Sequence, residues 1–146
     1  MVVFSAWPQP KTDMSTWQQI LATTLLVVFA LSARADPEKN YLLHCSGCHL
    51  PNGIGDPPNA PSLRDTIGKI VATPEGRDYI IRVPGSSQTP MSDEQLANVL
   101  NWVLTEFNSD TLPTDFAPLN AKEVARSRSK VLADPQKYRA RYWPDY

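Results

Sequence analysis

The sequence predicts an all-α fold on three observations: capped helix starts, one long apolar stripe at helical spacing, and no strand-like alternation beyond residue 35. The first start is Asp36-Pro37-Glu38, where an N-cap side chain, a proline at the first helical position and an acidic residue at the positive end of the dipole coincide. This helix runs through Tyr41 and Leu42 to Cys45. Thr73-Pro74-Glu75 repeats the arrangement, and Tyr79, Ile80, Ile81 and Val83 form a short apolar stretch ending at Pro84-Gly85. A loop carries Ser86 to Met91 into the last core helix. There Ser92 and Gln95 make a capping box, and Leu96, Val99, Leu100, Val103, Leu104 and Phe107 recur at i, i+3, i+4, i+7, i+8 and i+11. That stripe is the candidate core, with Trp102 packed at its flank.

A chain of 146 residues with 42% apolar content, 20% charged content and a net charge of -1 suits one small globular domain. Nothing in that balance points to DNA or RNA. Ile20 to Leu31 is an uncharged, mostly apolar run too short to span a bilayer comfortably, and Ala33-Arg34-Ala35 presents small residues where a signal peptidase reads. Residues 1–35 are therefore expected to be a signal peptide, with Met14 as a second possible start, and the rival is an uncleaved anchor. Cleavage after Ala35 leaves a chain from Asp36 with no stable membrane span, addressed to the bacterial periplasm.

The chain has two cysteines, both in Cys45-Ser46-Gly47-Cys48-His49, so neither a four-thiolate zinc site nor a disulfide framework can be assembled from it. The five residues read as a site for covalent attachment of haem c. Two thiols three positions apart on a helical turn can each add across one haem vinyl group, and the histidine next to them turns its imidazole to the iron. A bare Cys-x-x-Cys also serves dithiol redox chemistry, or half of a zinc site completed by His44, His49 or carboxylates. The dithiol alternative lacks the βαβ pattern it expects. His44 would point away from the haem if Cys45 and Cys48 face it, and reads as a surface residue or one that supports the site from behind, not as a ligand. From Leu50 to Ser62, Pro51, Gly53, Gly55, Pro57, Pro58 and Pro61 exclude a regular helix or strand and indicate a loop wrapped around something. A haem would supply apolar bulk that a domain this small lacks.

His49 followed twelve residues later by Ala60-Pro61-Ser62-Leu63, with Pro90-Met91 just before a long helix, is similar to the class I cytochromes c. The resemblance covers residues 36–110 and implies a small cytochrome c-like helical domain around one covalently bound haem. In that family a Gly-Pro-x-Leu segment gives a proline carbonyl to the ligand histidine, which makes Pro61 the acceptor here, although Ala60 stands where glycine is usual. It also implies Met91, the one methionine beyond residue 35, as the second axial ligand beside His49, with Cys45 and Cys48 as anchors and no catalytic residue. A thioether favours ferrous iron and closes it to outside ligands, so the implied function is electron transfer. The expectation is a periplasmic one-electron carrier, with a donor such as a periplasmic dehydrogenase and an acceptor such as a terminal oxidase or another cytochrome. The alternative is a haem-based small-ligand sensor or enzyme in which Met91 is labile.

Residues 111–146 form a proline-broken extension with one helix expected around Asn120 to Val131 and an aromatic end, Tyr138, Tyr142, Trp143 and Tyr146. Residues 36–119 hold five basic against eleven acidic side chains, whereas residues 120–141 hold seven against two. Such a tail either folds back along the acidic body or docks a partner protein.

Overall fold

The computed structural model describes residues 36–145, so the expected signal peptide and the terminal Tyr146 lie outside the described residues. Each helix start read from the sequence forms. Asp36 accepts from the Glu38 N–H at 3.1 Å and Pro37 sits in the first turn of α1, Pro37–His44. At Cys45 the backbone leaves the helical path, with φ at −120°, and α2 resumes over Ser46–His49. The motif thus follows the end of a capped helix as a turn of its own.

A one-turn helix, α3 at Ile67–Ile70, carries no sequence signal, since four residues are too few for a period to show. Helix α4, Pro74–Arg82, starts with Thr73 Oγ1 accepting from the Gly76 N–H at 3.1 Å. Pro84–Ser87, expected to lead into a loop, forms a further turn, α5. Proline tends to open a helix there because its missing N–H would be unsatisfied in the first turn anyway. Helix α6, Asp93–Asn108, is reciprocally capped: the Gln95 N–H donates to Ser92 Oγ at 3.2 Å, and the Ser92 N–H to Gln95 Oε1 at 2.9 Å.

The core lies between α1 and α6. Leu96, Val99, Val103, Leu104 and Phe107 are buried and Leu100 is half-buried, as the stripe requires, and full burial of each such side chain stabilises the fold by about 1.5–3 kcal/mol. Tyr41, wholly buried, meets them from α1, its ring 5.1 Å from Trp102 and 5.5 Å from Phe107. Its hydroxyl donates to Leu50 O at 2.6 Å, which ties the helix to the start of the loop after the motif. Trp102 is partly exposed, as its flanking position predicts. Among the described residues no strand forms, only one antiparallel bridge between Asp56 and Ala60.

The extension folds back on the body. Helix α7, Ala121–Arg128, matches the expected element and is capped by Asn120, whose Oδ1 accepts from the Glu123 N–H at 3.1 Å. A second helix, α8 at Pro135–Tyr142, starts at a proline read from sequence as a breaker, with Asp134 as its cap. Leu119, Val124 and Leu132 are buried against the body. The Asn101 side chain both donates to Leu119 O at 2.9 Å and accepts from its N–H at 2.8 Å. Tyr138 stacks on Tyr79 of α4 at 5.9 Å. Among the described residues no helix is long and apolar enough to cross a membrane.

Candidate functional site

A cavity of about 820 Å³ opens between α4, α6 and the loop after the motif, and Cys45, Cys48, His49, Pro61 and Met91 all line it. Much of its wall is apolar, including Ile80, Leu96, Val99 and Leu104. Every residue nominated from sequence therefore reaches one space. His44, expected to point away, borders that space while staying exposed. Cys45 is half-buried, Cys48 is exposed and Met91 is buried.

His49 Nδ1 lies 3.0 Å from Pro61 O. A carbonyl only accepts, so Nδ1 carries the proton and the lone pair is left on Nε2, the nitrogen free to bind a metal. Burial lowers the imidazole's pKa below its usual range, against the opposing pull of the Pro61 carbonyl, and this too favours the neutral ligand form. Before haem is attached, burial and the neighbouring Cys48 push the Cys45 thiol up to about 11.

The loop that presents Pro61 is folded around close backbone contacts. The Gly55 N–H donates to His49 O at 3.0 Å, and Gly55 holds φ at +77°, in the left-handed region. A side chain there would collide with the Ala60 and Pro61 carbonyls, which approach the bare Cα. The Leu63 N–H donates to Gly53 O at 2.8 Å and closes the loop. Its far end is fixed by Asn108, a buried polar residue at the end of α6. Asn108 Nδ2 donates to Leu63 O at 2.8 Å and Oδ1 accepts from the Gly68 N–H at 3.0 Å.

Sequence reasoning missed Asn108 and the part played by the extension. Ala133, Asp134, Pro135, Gln136 and Arg139 border the cavity, and Arg128 Nη1 donates to Met91 O at 2.9 Å. The one advance signal was the excess of positive charge in the tail, which gave no address for any single side chain.

The space suits a flat apolar group better than an ion. Among the described residues no group of three or more His, Cys, Asp or Glu side chains is arranged to hold a metal ion. Two thiols on the rim, a neutral imidazole with Nε2 free and a buried thioether suit a covalently attached porphyrin.

No family model matches the chain. A cytochrome c-552 of Thermus thermophilus is 34% identical over 135 residues, covering 80% of this chain and 90% of that protein. A second cytochrome c-552 from Thermus thermophilus is 33% identical over 121 residues, covering 70% of this chain and 92% of its own length. The chain belongs to the class I c-type cytochromes and carries one covalent haem c, joined through Cys45 and Cys48.

Proposed function

We propose that this haem c electron carrier works in the periplasm, with His49 and Met91 as axial ligands and Pro61 as the acceptor that orients His49. One observation carries the ligand assignment: an imidazole with its Nδ1 proton committed to Pro61 O and the one methionine beyond residue 35 line the same largely apolar cavity as both thiols.

When bound, haem c supplies reversible one-electron oxidation and reduction of iron. The chain's own groups set the conditions for that exchange. Pro61 O fixes the ring plane of His49 and makes its imidazole more electron-rich. The aliphatic side chains of α4 and α6 exclude water, and buried Met91 would hold the iron through its thioether and so keep small ligands out. With no bond-making step, turnover rests on brief, small-area contact with each partner. The signal-like residues 1–35 support a periplasmic address, and the donor in this reading is a periplasmic dehydrogenase.

The test is the optical spectrum of the purified holoprotein, wild type and Met91→Ala. The wild type should show a sharp reduced α-band and the weak far-red sulfur-to-iron band when oxidised, and the variant should lose the far-red band and bind carbon monoxide rapidly. A wild type without the far-red band that binds carbon monoxide at once would replace the carrier reading with a haem-based sensor or enzyme.

A further inference from the structure

Arg128, the last residue of α7, belongs to the extension yet reaches the segment that carries Met91. Its Nη2 donates to Thr89 O at 2.8 Å and Ser87 O at 3.2 Å, and its Nε also reaches Ser87 O, at 3.3 Å. Nη1 donates to Met91 O at 2.9 Å and to Asp93 Oδ1 at 3.0 Å. One guanidinium thus gathers three carbonyls and one carboxylate from residues 87–93. The Arg128 side chain is only 17% exposed, so these charge-assisted bonds are largely shielded from water and salt.

The position matters because of what lies between the helices. Gln88 to Ser92 connect α5 to α6 outside any helix, and Met91 sits near the end of that connection. A thioether is a neutral ligand that depends on being held in place, and it leaves when its backbone swings away. Swinging Met91 outward must break the bond from Arg128 to its own carbonyl and disturb those to Ser87 and Thr89. Lysine could not substitute, since it offers a point charge where arginine offers a planar fork with donors facing several acceptors.

From this geometry we infer that Arg128 is a positioning residue for the distal ligand: the extension holds the Met91 thioether in the cavity through a guanidinium clamp on the backbone of residues 87–91. The inference rests on the reading of Met91 as that ligand. It gives the extension a function in tuning the redox centre, separate from any partner it meets.

The test uses haem-loaded wild type, R128A, R128K and R77A. Arg77 joins the extension to α4 through Glu123, away from Met91, so R77A loosens the extension without touching the clamp. Measured together are the far-red band, carbon monoxide binding to the ferrous form, the reduction potential and the thermal midpoint. R128A and R128K should bind carbon monoxide about tenfold faster or more, which is the change expected when one or more charge-assisted bonds are lost. Both should weaken the far-red band and lower the potential, whereas R77A should lower the thermal midpoint and leave the other three readings at wild-type values. Wild-type binding rates in R128A or R128K, with the wild-type far-red band present, overturn the clamp and leave the ligand reading standing. Equal acceleration in R77A overturns it as well, because general loosening then accounts for the effect. A wild type without the band removes the Met91 assignment, and the clamp with it.

Discussion

Arg77 and Glu123 face each other through two parallel hydrogen bonds, Nε to Oε1 at 2.7 Å and Nη2 to Oε2 at 2.8 Å, which join α4 to the first helix of the extension. Both side chains are about four-fifths covered, and the guanidinium also lies 5.5 Å above the Phe116 ring. A bidentate, sheltered pair of this kind is stronger than an exposed ion pair. Glu123→Ala should therefore lower stability by about 1–3 kcal/mol in chemical denaturation, with the optical spectrum of the folded protein unchanged. A change below a few tenths of a kcal/mol would mean that the extension is held by its buried apolar residues alone.

Gly55→Ala should disturb the site through the backbone. A Cβ at φ +77° is strained, and it would stand 2.7 Å from Pro61 O, the atom that accepts from His49. The expected cost is about 1–3 kcal/mol of stability. As the carbonyl is pushed off Nδ1 the imidazole becomes less electron-rich, so the reduction potential should rise. Potentiometric titration of the variant checks the direction, and an unchanged or lower potential would separate Pro61 from the tuning of the haem.

Asn108→Ala tests the far anchor of the same loop. It removes the acceptor of the buried Gly68 N–H and the donor to Leu63 O, leaving polar backbone atoms without their partner. The loss should be about 2–4 kcal/mol, larger than for a surface polar residue, because a buried orphaned group keeps its full desolvation penalty. A shift in denaturant midpoint at constant slope is the expected observation.

Much of this architecture was legible in advance, and the reasons for the misses are specific. Asp36, Thr73 and Ser92 declared their helices because capping depends on residues a few positions apart. The stripe from Leu96 to Phe107 declared its buried face for the same reason. Pro84 and Pro135 misled because proline both ends and begins helices, and only the fold shows which neighbour it joins. Arg128 and Asn108 could not be assigned at all: their partners stand 35 to 45 positions away, and no local pattern records such contacts.

Alkali should unfold the protein in a defined window. Burial pushes the Tyr41 hydroxyl up to about 12 and also raises Tyr79. A phenol whose pKa is higher folded than unfolded binds its proton more tightly in the native state, so its contribution to stability is complete below about pH 10 and is lost as pH rises toward 12. Tyr41→Phe should flatten that loss while costing about 1 kcal/mol at neutral pH for the bond to Leu50 O. Thermal midpoints of both proteins from pH 8 to 11.5 make the comparison. An equal alkaline slope in the variant would shift the cause to other groups.

The cavity has walls from opposite ends of the chain, with the two thiols near the start of the described residues and Ala133 to Gln136 near their end. The motif and the last wall of its cavity are thus far apart in sequence, and only the fold brings them together. A chain that ended before Ala133 would keep both thiols, His49 and Met91 but would lack the wall that Ala133 to Arg139 provide. The extension is therefore part of the container, and its loss would open the cavity to water on that side.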